Sequence, residues 1–263
     1  MVFQSLELFP HLDVAENVAF GLRGRPRGAA AARDARVREV LESVGLPEAL
    51  WRRRPGQLSG GERQRTAIAR ALAPRPRVLL YDEPLANLDP GRRVELRALV
   101  RRLARERATT VIYVTHDAAE ALERGDEIVV LDGGRIVDRG APETLRASPR
   151  CLASARALGP VCVVDVDAPS TRRLLDGAAV AASPSDRLVL RPEHLVAAES
   201  GADAVVVDAY PAGDRFAFEA RLDGGAATLR GLSTTRLAAG APIRLRIVGH
   251  PGVLPSDSPG SDA

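Results

Sequence analysis

Three stretches of this sequence carry residue types that could act on a phosphate. Leu58-Ser59-Gly60-Gly61-Glu62-Arg63-Gln64-Arg65 sets a serine hydroxyl and two glycines ahead of a helical run. Glycines at a helix start expose consecutive backbone N–H groups at the positive end of the helix dipole, where an anionic phosphate can bind. Read more plainly, Ser59 and Glu62 form an S-x-x-E capping box, a common way to begin a helix. Asp82 and Glu83 follow the apolar run Val78-Leu79-Leu80-Tyr81. Carboxylates at the C-terminal end of a buried strand stand where open α/β sheets bind ligands. In that reading Asp82 holds Mg²⁺, directly or through water, and Glu83 polarises the water that attacks a γ-phosphate. The plain alternative is a strand running into an acidic turn. His116 follows a second apolar run, on the same sheet edge, and is a candidate γ-phosphate contact or an ordinary structural histidine.

These residues need particular elements beneath them. Ser59 and Glu62 precede Ile68 and Leu72 on one expected helix. Val78-Leu79-Leu80-Tyr81 reads as a central strand of a parallel sheet, buried on both faces, and residues 110–115, TVIYVT, as another. Between them Asp89 and Pro90 supply an N-cap and a first-turn proline for a helix burying Leu96, Leu99, Val100 and Leu103. Strand, helix, strand at this spacing is a βαβ unit. Upstream, residues 1–22 read as apolar and loop-like, and residues 23–33 as a Gly/Ala/Arg linker. A helix with Val37, Val40, Leu41 and Val44 on one face then ends at Gly45. Downstream, Asp132-Gly133-Gly134 turns a hairpin. After about residue 150 the pattern alternates, as in Phe216, Phe218, Ala220 and Leu222 or Ile243, Leu245 and Ile247, which predicts a small β domain, best closed as a barrel. The expected division is 1–150, 151–250 and a disordered tail over 251–263.

Composition sets the class. At 263 residues, 45% apolar and 27% charged, the chain is an ordinary globular protein of one large or two modest domains. All 37 of its basic residues are arginine. Without lysine there is no Schiff base, no lysine nucleophile and no G-x-x-x-x-G-K-[ST] phosphate loop. The net charge of +3 is spread among interspersed acids and the aromatic content is 3%, which excludes a nucleic-acid partner. Cys151 and Cys162 are too few for a disulfide framework and lack metal spacing, as in a reducing compartment. No apolar run nears the ~18 residues of a membrane span. The expected location is cytoplasmic, peripheral at the inner face of the cell membrane, with contact made through a partner.

The motifs together resemble one family. Gln4 within Val2-Phe3-Gln4-Ser5, the LSGGERQR run, VLLYDEP, Leu85-Ala86-Asn87-Leu88-Asp89 and Val114-Thr115-His116-Asp117 resemble the Q-loop, signature motif, Walker B motif, D-loop and switch histidine of ABC-transporter ATPase subunits, in the family's order and spacing. Leu190-Arg191-Pro192-Glu193-His194 is similar to a motif of the TOBE domain, an OB-like barrel of importer ATPases, and GRIVDRGAPETL is typical of the same importers. The resemblance implies an incomplete P-loop NTPase-like α/β domain followed by a small all-β TOBE barrel, with ATP and Mg²⁺ as cofactors. It implies that Gln4 reaches Mg²⁺ and the attacking water and couples to membrane subunits. It further implies that Asp89 positions a composite site across a dimer interface, and that Ser59, Gly60, Gly61 and Glu62 meet ATP held by the opposite subunit. The implied partners are a second ATPase subunit, identical or not, transmembrane permease subunits and, indirectly, a solute-binding protein. The subfamily serves polyamines, ferric iron, sulfate, molybdate-type oxyanions or sugars; cargo is chosen by other subunits.

The sequence departs from the family at one point. An ABC ATPase needs a P-loop and its lysine, and the sequence contains neither, nor the family's adenine-stacking aromatic and first strands. Three expectations follow. Met1 lies where the family has an internal residue, so a complete importer ATPase is expected to be the origin of the sequence. Alternatively the chain is a half-site subunit that supplies its signature motif in trans, or a non-catalytic regulatory protein that binds a small ligand through its β domain.

Overall fold

The computed structural model describes residues 1–22, 30–83, 90–175, 180–225 and 228–255. By internal contacts the chain forms two compact units, Met1–His116 and Asp117–Ala263.

In the first unit, residues 1–22 are not all loop. They contain helix α1 (Val14–Phe20), begun by a capping box in which Asp13 Oδ1 accepts the Glu16 N–H at 2.7 Å and Glu16 Oε2 accepts the Asp13 N–H at 2.8 Å. The D-x-x-E spacing already held that signal. Helix α2 (Ala30–Ser43) starts inside the expected linker and buries Val37, Val40 and Leu41, with Gly45 following at φ 69°. Helix α3 (Gly60–Leu72) is capped by Ser59 as its spacing predicts and buries Ala67, Ile68 and Leu72. Strand β1 (Val78–Asp82), helix α4 (Pro90–Glu106) and strand β2 (Thr110–Val114) form the expected βαβ unit, with β1 and β2 parallel from Val78↔Thr110 to Asp82↔Val114. Leu96, Leu99 and Leu103 of α4 are buried. Asp89, its expected N-cap, lies outside the described residues. On its other side β1 is joined by Val2, which donates to the Leu80 carbonyl at 2.8 Å and accepts from the Asp82 amide at 3.0 Å.

The expected burial of β1 and β2 on both faces is corrected by this unit. Leu79 and Tyr81 are buried and Val111 and Tyr113 pack on the same core, yet Val78, Leu80, Ile112 and Val114 on the opposite face are 50, 39, 50 and 51% exposed. Parallel strands read as continuous apolar runs because layers normally cover both faces. Among the described residues only one face is covered. An apolar sheet face open to water is an association liability, so the isolated chain is expected to associate or to need a partner. Leu80→Thr with Ile112→Thr should raise the monomer fraction across a dilution series followed by light scattering. A sharp, concentration-independent melt of the unsubstituted monomer would contradict this.

The second unit opens with helix α5 (Ala118–Arg124), capped by Asp117, and the predicted hairpin of β3 (Ile128–Asp132) and β4 (Arg135–Gly140). Gly133 and Gly134 take φ of 53° and 76°, the paired left-handed conformation of a two-residue hairpin turn. Helices α6 (Pro142–Ala147) and α7 (Leu152–Ala157) follow, then β5 (Cys162–Asp165), helix α8 (Pro169–Leu174), β6 (Arg187–Leu190), β7 (Leu195–Ala198), β8 (Ala202–Ala212), β9 (Arg215–Leu222), β10 (Thr228–Ser233), β11 (Pro242–Ile247) and β12 (Gly252–Leu254). One sheet runs β10-β9-β8-β11-β7 and a second β12-β6-β5. The larger sheet curls until its outer strands meet. At Gly231 of β10 a side chain would collide with the Phe218 ring and come within 2.7 Å of the Leu195 carbonyl of β7. The expectation of a disordered tail from residue 251 is corrected over Gly252–Leu254, which pairs with β6 and buries Leu254 completely.

Arg191 and His194, from the LRPEH run, hold the end of β6. The buried Arg191 guanidinium donates to the Leu158 and Ala155 carbonyls at 3.1 and 3.3 Å, at the C-terminal end of α7. His194 Nδ1 accepts the Arg191 N–H at 3.2 Å, a bond that needs an unprotonated Nδ1. Burial, with the Arg191 and Arg146 guanidinium groups and the His250 ring beside it, holds His194 below its ordinary range against the pull of Glu193. The unfolded chain therefore takes up this proton first, and folded stability is fully present above about 6.5 and is lost as pH falls below it toward the lowered folded value. Urea titrations between neutral and mildly acid pH should show the loss, and His194→Asn should flatten it.

Candidate functional site

Because β1 and β2 are parallel and in register, both end at one edge, and the residues that follow them converge there. Asp82 is the last residue of β1. The Glu83 amide extends the ladder by donating to the Val114 carbonyl at 3.1 Å, and a φ of 41° then swings Glu83 out of the strand line. A left-handed conformation costs a non-glycine residue roughly 1–2 kcal/mol, and such strain gathers where function needs a fixed direction. His116 lies beyond β2 with Nδ1 2.8 Å from Glu83 Oε1. An ionised carboxylate only accepts, so Nδ1–H is the donor and Nε2 is directed elsewhere by ring geometry. The structure thus brings together Asp82, Glu83 and His116.

Gln4 reaches this edge by a separate route. Val2 runs parallel to β1 opposite Tyr81, so Phe3 and Gln4 continue past the end where Asp82 and Glu83 stand. Gln4 is exposed in a turn, and after it Leu6 and Glu7 take φ of 63° and 45°. Arg70 of α3 crosses to this turn, donating from Nη1 to the Glu7 carbonyl at 2.5 Å and from Nη2 to the Leu6 carbonyl at 2.8 Å. Burial draws this guanidinium below its ordinary range, opposed by the Glu7 carboxylate. Asn17, fully buried on α1, closes the loop by accepting the Phe9 N–H at 2.9 Å and donating to the Phe9, Leu12 and Asp13 carbonyls. Neither Arg70 nor Asn17 was signalled by the sequence. Arg70 acts across 63 and 64 residues, a separation that spacing cannot express, whereas the partners of Asn17 lie four to eight residues away and the D-x-x-E cap of α1 marked the helix that carries it.

The glycine run occupies the start of α3. Ser59 Oγ accepts the Glu62 N–H at 3.4 Å and Glu62 Oε2 accepts the Ser59 N–H at 2.7 Å. The Gly60 and Gly61 amides belong to the first turn and have no intrahelical acceptor. Capping-box reading and phosphate reading are therefore compatible. The box orders the turn whose amides face outward along the helix axis. Asp89 lies outside the described residues.

The donor set can be tested against the implied cofactors. Among the described residues no group of three or more His, Cys, Asp or Glu could hold a metal alone. Mg²⁺ commonly binds through one or two protein oxygens plus substrate phosphates and waters. The Asp82 carboxylate and the Gln4 amide, at one edge, fit that mode and do not fit a free-standing metal site. Nucleotide fits in part. The α3 start offers amides, and no lysine exists to grip a β,γ-phosphate.

The sequence model of the ABC transporter family matches residues 1–86, and that of the TOBE domain residues 188–253. The chain is 38% identical to the ferric-ion import ATP-binding protein of Pseudomonas fluorescens over 94% of its own length and 73% of that protein. It is 40% identical to the sn-glycerol-3-phosphate import ATP-binding protein of Rhodopseudomonas palustris over 86% of its length and 64% of that protein. It is 39% identical to the sulfate/thiosulfate import ATP-binding protein of Xanthomonas campestris over 97% and 77%. The chain belongs to the ABC transporter family, among the ATP-binding subunits of importers with a C-terminal TOBE domain. No described helix is long and apolar enough to cross a membrane. Removing the α3 cap tests the local architecture: Ser59→Ala should cost about 1 kcal/mol, read as an earlier urea midpoint with an unchanged slope.

Proposed function

We propose that the chain is the energy-coupling subunit of a solute importer, in which hydrolysis of ATP at the β1 edge drives uptake through membrane permease subunits. The observation that carries this is the Glu83–His116 contact of 2.8 Å beside Asp82, at the end of parallel strands. Asp82 holds the metal and Gln4 supplies an amide oxygen beside it. Mg²⁺, when bound, neutralises charge on the β- and γ-phosphate oxygens. Glu83 Oε accepts a proton from the attacking water, and the His116 Nδ1–H fixes the direction of that carboxylate. His116, its ring then carrying a proton on each nitrogen, donates from Nε2–H to a γ-phosphate oxygen. The relatives named above support solute import, without singling out ferric ion, glycerol 3-phosphate or sulfate as cargo.

Ser59, Gly60, Gly61 and Glu62 act on nucleotide held by a second ATPase subunit, and Asp89 lies at that interface. The working assembly is a dimer on the cytoplasmic face of the membrane, fed by a solute-binding protein, with ATPase residues 1–150 and accessory residues 151–250. The lysine-free sequence supports one further reading: the phosphate grip comes from outside these 263 residues. Intact mass and N-terminal peptides of the native subunit separate its sources. A mass well above 28.0 kDa with a glycine-rich, lysine-bearing peptide points to the same polypeptide, and a mass of 28.0 kDa points to an intact partner that receives the Ser59 run in trans.

For the assembled protein, Glu83→Gln should lower turnover by about a hundredfold or more, the usual scale for losing a general base, while nucleotide-dependent association persists. Turnover that survives this substitution would refute the assignment of Glu83.

A further inference from the structure

Between Val2, fixed to β1, and Phe9, fixed by Asn17, the chain holds two consecutive non-glycine residues in the left-handed region. Leu6 and Glu7 are not residue types that adopt that region for local reasons. Strain of this kind persists only where the surroundings over-determine it. What crosses the turn is the guanidinium of Arg70, from 63 and 64 residues away, with one N–H to each of the two successive carbonyls.

We propose that Arg70 is a positioning residue for Gln4. Its planar fork keeps Leu6 and Glu7 left-handed and thereby sets where the Gln4 side chain stands at the β1 edge. This rests on the reading of that edge as the metal and water site. The fork is itself closely fenced. Its Cζ lies 5.6 Å over the Phe9 ring, and that ring packs on Phe20 of α1 with centroids 4.3 Å apart. The backbone of Arg70 is seated as well, since any side chain on Gly21, after α1, would collide with the Arg70 carbonyl oxygen. Helix α3 therefore carries two functional ends. The Ser59 turn begins it, and the Gln4 strut leaves it eleven residues later, about 16 Å along the axis at 1.5 Å per residue. A displacement of α3 moves both.

Lysine cannot reproduce a two-carbonyl fork, which makes Arg70→Lys the informative variant in the full chain. Backbone hydrogen exchange should rise about tenfold or more at Leu6, whose amide donates to the Phe3 carbonyl, while the Asp82 amide and the melting temperature stay as in the parent. Exchange over residues 5–8 within about twofold of the parent would overturn the proposal. Should Arg70→Lys fail to fold, Glu7→Gly supplies the left-handed conformation without strain. Folding restored in that background supports the strut, and no restoration overturns it. In an assembly that turns over Mg·ATP, Arg70→Lys should lower kcat about tenfold with KM nearly unchanged, as expected for a group acting only through geometry of the reacting state. An unchanged kcat overturns the link to Gln4. If the parent itself shows no Glu83-dependent turnover, the functional reading of the edge fails, while the exchange result still decides whether Arg70 holds the turn.

Discussion

The parallel register of β1 and β2 is the constraint on which the candidate site depends. Five consecutive partners from Val78↔Thr110 to Asp82↔Val114 bring two segments more than thirty residues apart to the same sheet edge. Parallel pairing does this because both strands leave the sheet at the same end. A shift of one residue would separate Glu83 from His116 and would invert every side chain of β2 between the core and the open face. The helix joining the strands makes that register affordable, because Leu96, Leu99 and Leu103 bury it against the same core as Leu79 and Tyr81.

Strain appears where this edge meets its surroundings. Glu83, Leu6 and Glu7 are all left-handed without being glycine, and each is met by a contact from elsewhere in the fold. The Val114 carbonyl accepts from the Glu83 amide, and the Arg70 fork donates to the carbonyls of Leu6 and Glu7. The edge is thus directed by hydrogen bonds to backbone.

The second unit solves a different problem, that of sheet edges. Its five-stranded sheet curls so far that only glycine fits at position 231, which brings β10 up to β7. The buried Arg191 ties the end of β6 to α7 through carbonyls that the short helix leaves unpaired. A charged group is tolerated there because the helix's C-terminal dipole end faces it. Among the described residues the first unit shows no such closure, and one layer covers its β1 and β2 pair.

Much of this was legible in the sequence, because it depends on neighbours in the chain. Ser59 and Glu62 announced the α3 cap, the 3.6-residue spacing announced α2 and the stripe of α4, Gly133 and Gly134 announced the hairpin, and alternation announced β9 and β11. The acidic end of β1 and the lysine-free composition were readable for the same reason. Helix α1 is marked only by Asp13 and Glu16, because seven residues are too few to show a helical apolar period. The tertiary structure alone decided which face of β1 is bare, that Gly252–Leu254 closes the smaller sheet, and that His116 meets Glu83. It alone placed Arg70 under Leu6 and Glu7. Apolar runs record that a strand can be buried, not what buries it, and a hydrogen bond spanning sixty residues has no spacing for a sequence to show.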